Sequence, residues 1–269
     1  MTGNADGTAG GAGTGLPASI EAAWGLRDRP SKGPRPGLTL ERIVGAAVAL
    51  AAAEGLGAVS MGRVAKELGV STMSLYRYVA AKDELYILML EEAIGAPPPP
   101  PDPALGWREA LAWWAWGQRE AFHRNLWSLR LPISGPPSTP HMVAWWERGM
   151  VALDGTGLDD RTRIAVILLV SGFVRNEAML TADLDAAVGA SGASAQEVME
   201  GYGRTLRRLA DPARYPSVAR LLAEGGLEGE EGPDADFTFG LDCLLDGVET
   251  LIGRQAAGGG GRSAGEWRR

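Results

Sequence analysis

The chain is poor in the residues that build most metal and redox chemistry. Its 269 residues include one cysteine, Cys243, and two histidines, His123 and His141. A single cysteine excludes an internal disulfide and a thiolate zinc site, and two histidines make no convincing metal cluster. No metal site and no cofactor is predicted. No apolar run reaches the roughly 18 residues of a membrane span, and the start of the chain lacks the basic and apolar regions of a secretory signal. The expected setting is cytoplasmic, with no membrane partner. Signatures of catalysis are missing too: there is no nucleophile elbow and no paired metal-ligand spacing. The glycine-rich "GTAGGAGTG" has no strand before it and no Lys-Ser/Thr after it, so it is read as linker rather than a phosphate loop. In "DGTGLDD", Leu158 falls where a calcium loop needs an oxygen ligand. Cys243 lies in an apolar stripe and is read as packing. The chain is not read as an enzyme.

What remains is an acidic, helix-patterned chain, with formal net charge −7 and pI ≈ 5.0. No alternating strand pattern and no internal repeat is visible. Residues 1–37 are rich in Gly, Ala and Pro and are expected to be a disordered extension, with Arg27, Arg29, Lys32 and Arg35 forming a basic arm. Residues 38–95 read as a small helical domain. "APPPPPDP" interrupts regular structure, 104–255 read as a larger helical domain, and 256–269 as a disordered tail. The predicted fold class is all-α.

One window runs against the acidic background. Between Ser60 and Lys82 stand Arg63, Lys66, Arg77 and Lys82 against Glu67 alone, a local charge of +3. In the same region Thr39, Ser60 and Ser71 sit at helix-capping positions, and Gly69 separates two short helices. A helix, a glycine-containing turn and a second helix make the helix-turn-helix arrangement. In "STMSLYRYV", Leu75 and Val79 are four apart and share the inward face. Ser71, Thr72, Met73, Ser74, Arg77 and Tyr78 are left mostly outward, with the Tyr76 hydroxyl able to reach a phosphate. Such a helix can enter the major groove. A three-helix protein-binding domain is the other reading of this spacing.

The stretch "SMGRVAKELGVSTMSLYRYVAAKDEL" also resembles the DNA-binding domain of the TetR (tetracycline-repressor-like) bacterial transcriptional regulators. The resemblance covers Thr39 to about Gly95. It implies an N-terminal three-helix helix-turn-helix domain joined by a linking helix to a larger ligand-binding and dimerisation domain. It implies double-stranded operator DNA as partner. Thr39, Ser60 and Arg63 would face the DNA, Thr72, Met73, Ser74, Arg77 and Tyr78 would lie at or near base edges, and Tyr76 and Lys82 would bind phosphate. The family often carries an arginine where Gly62 stands. The C-terminal part, through "WREALAWWAWGQREAFHRN", "GTGLDD" and "FTFGLDCLLDGVETLIG", is similar to the tetracycline-repressor-like branch. That similarity implies a homodimer paired through the last helix and the helix around Ile164 to Phe173. Ile167, Leu168, Leu241, Leu244, Leu245, Val248 and Leu251 are the interface candidates.

Nine tryptophans crowd this chain, six of them between 113 and 146. Small-molecule pockets are mostly apolar and aromatic with a few polar groups. Trp113, Trp116, His123, Trp127, Trp146, Phe173 and Asn176 are therefore candidates for contact with a small-molecule effector. Core or dimer packing is the stronger reading of any single tryptophan; the group is what suggests a ligand. The expected function is a DNA-binding regulator, a repressor released by an apolar or aromatic molecule.

Overall fold

The structure, a computed structural model, describes residues 15–26, 37–99, 102, 105–226, 232 and 234–257. Among them all regular structure is helical. The chain divides into two compact units, residues 1–97 with 130–146 and residues 98–129 with 147–269.

The first unit contains α1 (Ala18–Ala23), α2 (Leu40–Glu54), α3 (Met61–Glu67), α4 (Thr72–Tyr76) and α5 (Lys82–Ile94). The polar caps work as the sequence requires. The hydroxyls of Thr39, Ser60 and Ser71 accept from the backbone N–H of Arg42, Arg63 and Ser74 respectively. Each satisfies a donor that the first helical turn leaves open. Glycine ends α2 and α3, with Gly55 and Gly69 at φ +82° and +66°. Ile43, Ala47 and Leu50 of α2 are buried with Met61 and Val64 of α3, Leu75 of α4, Val79, and Leu85, Leu88 and Met89 of α5.

The expected disorder of residues 1–37 does not hold for α1. Ile20 is buried and the helix packs on α5. Ser19 donates its hydroxyl to the buried Glu84 carboxylate, which also accepts from the Ala80 N–H at 2.6 Å. Trp24 donates its indole N–H to the Ser138 carbonyl at 2.8 Å. An Ala-rich six-residue helix is too short to be stable alone, and packing of Ile20 supplies what propensity does not. The basic arm lies outside the described residues.

The larger helical domain read over 104–255 is also divided differently, because residues 130–146 belong to the first unit. Glu91 of α5 explains part of this. Its carboxylate accepts from the His141 and Met142 N–H groups at 2.8 and 3.3 Å, in the first turn of the helix Pro140–Ala152. The buried Trp145 donates its indole N–H to the Gly95 carbonyl at 3.0 Å.

The second unit is built on α6 (Trp107–Arg124), the end of α7 (Pro140–Ala152), α8 (Asp160–Ser191), α9 (Ala195–Leu209), α10 (Pro216–Ala223) and α11 (Ala235–Ala257). Leu111, Trp114 and Ala115 of α6 are buried with Val166, Ile167, Val170 and Val174 of α8 and Phe237, Leu241, Leu245 and Val248 of α11. A Cβ on Gly149 of α7 would come within 2.8 Å of the Trp114 ring, so only glycine admits this approach. Helix α8 is long and apolar enough to cross a membrane. Arg175 and Glu177 lie within it, however, and bond inside the unit.

Candidate nucleic-acid interface and ligand-binding unit

The turn between α3 and α4 is closed by backbone bonds from Gly69 N–H to the Lys66 carbonyl and from Val70 N–H to the Ala65 carbonyl. This is the glycine-terminated helix end that a positive φ makes possible. It delivers α4 with Ser71 at its cap. The helix is only five residues long, and Arg77 caps its far end. Leu75 and Val79 are fully buried and fix its inward face. Met73 is 74% exposed and Tyr76 45% exposed. Ser71 and Arg77 are also exposed, and Thr72 and Ser74 half-buried. The outward face is therefore the predicted one: short hydroxyls at the start, then an aromatic hydroxyl and a guanidinium. Lys82 opens α5 with its ammonium 5.0 Å from the Tyr86 ring centre.

Beyond the caps and the Lys82–Tyr86 contact, two members of the predicted set have partners on other helices or segments. The Tyr78 hydroxyl donates to the Leu38 carbonyl at 3.0 Å, so it ties the end of α4 to the entry of α2. That contradicts the reading of Tyr78 as an outward base-edge residue. Arg63 is ion-paired with Glu54 of α2. The helical spacing of α2 marks Glu54 as a solvent position and gives no sign of this pair. Thr39 and Ser60 spend their oxygens on capping but keep an O–H that can donate to a phosphate.

In the second unit, Arg119 of α6 is the main buried charge. Its Nε and Nη2 reach the two oxygens of Glu177 at 3.1 and 3.2 Å, and Nη1 reaches Asp234 at 2.7 Å. Burial pulls its pKa down. Hydrogen bonds and charge from Glu177 and Asp234 more than compensate, so it lies above the ordinary arginine value. The guanidinium also lies over the rings of Trp116 and Phe237, at 5.3 and 4.8 Å. Phe237 meets Trp116 edge-on at 4.6 Å and stacks on Phe173 at 5.4 Å.

Of the seven predicted effector residues, two pack against a shared neighbour. Trp116 and Phe173 are brought together by Phe237, which the sequence reading did not single out. Trp127 lies beyond the end of α6, on a short 3-10 turn at Leu126–Arg130. Trp113 is half-buried on α6. His123 is exposed in an open depression with Glu120 and Arg124, and Asn176 is exposed on α8. Trp146 belongs to the first unit and is exposed.

The interface candidates also divide. Ile167, Leu241, Leu245 and Val248 are buried in the unit's own core, so they cannot present a surface to a second copy. Leu168 and Leu251 are exposed, and Leu244 is half-buried. The exposed apolar face of α8 carries Leu168, Leu169 and Leu180, and that of α11 Phe239 and Leu251. Cys243 is exposed on α11 rather than packed inside. Both helices are apolar on two sides, so periodicity alone could not say which side is core.

Comparison with known proteins bears on the whole arrangement. Residues 43–89 match the family described as bacterial regulatory proteins, tetR family, and residues 99–252 match the tetracyclin repressor-like C-terminal domain. The chain belongs to the TetR family. It is 37% identical to the HTH-type transcriptional repressor DrrR1 of Streptomyces coeruleorubidus over 239 residues, 88% of this chain and 87% of that one. Apo ActR from Streptomyces coelicolor superposes with a TM-score of 0.68 at 27% identity, over 82% of this chain and 99% of that one. ActR in complex with actinorhodin gives 0.67 at 27%, over 82% and 100%. As a TetR-family protein the chain is a DNA-binding transcriptional regulator with an N-terminal helix-turn-helix. The TetR match begins inside α2, so α1 lies outside both matched segments.

Proposed function

We propose that the chain is a homodimeric repressor that reads a near-palindromic operator through α4 and releases it when an apolar or aromatic molecule binds the second unit. One short helix reads only a few base pairs, so specificity needs two copies in successive grooves, about 34–36 Å apart. In this reading Tyr76 and Lys82 anchor phosphate, while Thr72, Met73, Ser74 and Arg77 read bases. The exposed faces of α8 and α11, carrying Leu168 and Leu251, supply a self-complementary surface. The observation that carries the proposal is the outward row on α4, held by a fully buried Leu75 and capped by Ser71. The naming of DrrR1 as a repressor supports the sign of regulation, and ActR in complex with actinorhodin supports a small-molecule effector.

Release requires differential affinity for the two states. Helix α5 is the proposed lever. It carries Glu91, whose carboxylate holds the first turn of α7, and α7 continues into the second unit. The test is anisotropy on genomic fragments selected by the pure protein. Lys82→Ala should weaken all sequences and reduce the salt slope by about one. Arg77→Ala should cost about 1–3 kcal/mol, concentrated at one operator position. If both variants fold and bind like the parent, the assignment of α4 is wrong.

A further inference from the structure

Helix α4 ends at a turn with little support of its own. Val79 is buried, and Ala80 and Ala81 then lead into α5. Ala81 occupies the N-cap of α5, and no side chain caps there. Alanine is among the poorest residues at that position, because its methyl group offers no acceptor. The Ala80 N–H donates instead to the Glu84 carboxylate at 2.6 Å. Glu84 reaches back from the first turn of α5, as the acidic member of a capping box does, but to the residue before the N-cap. Arg77 precedes this bond and Lys82 follows it, so the bond fixes the piece of backbone that joins them.

The Glu84 carboxylate is itself held by a distant part of the chain. Glu84 is 7% exposed, and a buried carboxylate needs hydrogen bonds in place of its lost water. One oxygen accepts from Ala80 and the other from the Ser19 hydroxyl of α1, 65 positions away. Ser19 and its neighbour Ile20 are both buried. At the other end of α1, Trp24 is tied to the Ser138 carbonyl. A short helix fixed at both ends holds its hydroxyl, and therefore Glu84, in one orientation. The end of α4 has a second tie from the same part of the chain, because the Tyr78 hydroxyl donates to the Leu38 carbonyl. Ser19 and Leu38 both precede residues 43–89, the segment matched to the TetR family.

We propose that α1 is a working part of the DNA-reading head, and that Ser19 and Glu84 are positioning residues that set the α4–α5 turn and with it the spacing of Arg77 and Lys82 against DNA. The inference rests on the reading of Arg77 and Lys82 as DNA contacts. Ser19 and Glu84 themselves touch no DNA in it. Without the Ser19 hydroxyl the turn samples other angles, and binding must then order what the parent protein holds in advance.

The test is fluorescence anisotropy of the full chain on an operator fragment selected by the pure protein, over a salt series, with circular dichroism to establish that each variant is folded. Ser19→Ala should weaken binding about three- to tenfold and lower the salt slope by about one, as Lys82→Ala does, through loss of one phosphate contact. Because both changes remove the same contact, Ser19→Ala with Lys82→Ala should bind within about twofold of Lys82→Ala alone. A role in stability alone would leave the affinity and salt slope of the folded protein unchanged. Ser19→Cys nearly keeps the size of the side chain and donates more weakly. It should fall between the parent and Ser19→Ala, and it carries the test if Ser19→Ala does not fold. Parental affinity in folded Ser19→Ala overturns the inference, as does parental affinity in Ser19→Cys where Ser19→Ala does not fold. Losses that multiply in the double variant overturn it too. Arg77→Ala and Lys82→Ala are measured alongside. If both bind like the parent, the reading of α4 fails and this inference falls with it; if they weaken binding while the Ser19 variants do not, only this inference fails.

Discussion

Glu54→Gln is expected to strengthen DNA binding. Arg63 and Glu54 are paired across α3 and α2, with side chains 43% and 46% exposed. At that exposure solvent screens the pair, which is worth about 0–1 kcal/mol. Bound DNA must compete with Glu54 for the guanidinium. Glutamine removes the competition and keeps the shape. The expected gain is up to about 1 kcal/mol, or about fivefold in affinity, read by fluorescence anisotropy at 0.15 M salt. Helix stability should not suffer, because a negative charge near the C-terminal end of α2 is unfavourable to the helix dipole. Arg63→Ala should weaken binding and should also cancel the effect of Glu54→Gln, so the double variant binds like Arg63→Ala. A gain that persists without Arg63 would refute the competition and leave only a general charge effect. No gain at all, with a clear loss in Arg63→Ala, would show that the pair survives on DNA.

Arg119→Met should destabilise the second unit by about 3–5 kcal/mol in urea unfolding, because Glu177 is then a buried charge with its cation removed. Adding Glu177→Leu should recover much of that loss; no recovery would mean that the arginine acts through packing on Trp116 and Phe237. Gly69→Ala forces a side chain into a positive-φ position and should cost about 1–2 kcal/mol, measured by thermal unfolding, with DNA affinity falling in parallel. Ile20→Ala should cost about 2–5 kcal/mol if α1 is part of the first unit as its burial indicates; a cost below about 0.5 kcal/mol would return α1 to the status of a tail. Leu168→Glu with Phe239→Glu should yield a folded monomer by sedimentation, whereas Val248→Asp, in the core, should unfold the chain.

The head was legible because each of its boundaries has a local chemical cause. Thr39, Ser60 and Ser71 are caps, Gly55 and Gly69 are terminators, and Leu75 and Val79 lie on one face. The parts that escaped depend on distant residues. Helix α1 forms because Ile20 is buried and because Ser19 and Trp24 find partners 65 and 114 positions away. Tyr78 looked like a DNA contact until Leu38 accepted its hydroxyl. In the second unit, tryptophan content pointed to aromatic packing but not to its address. Phe237 gathers Trp116 and Phe173, whereas Trp146 falls in the other unit. Buried donors such as Ser19 carry no sequence signal, since a serine in a stretch rich in Gly, Ala and Pro reads as linker.

The most direct measurement is to sequence the genomic fragments retained by the pure protein, alongside the Arg77→Ala, Lys82→Ala double variant. The parent should enrich a small set of near-palindromic sites with half-sites about one helical turn apart, and the folded variant should lose that enrichment. Retention of fragments with no shared motif, or the same motif from both proteins, would contradict operator reading by α4.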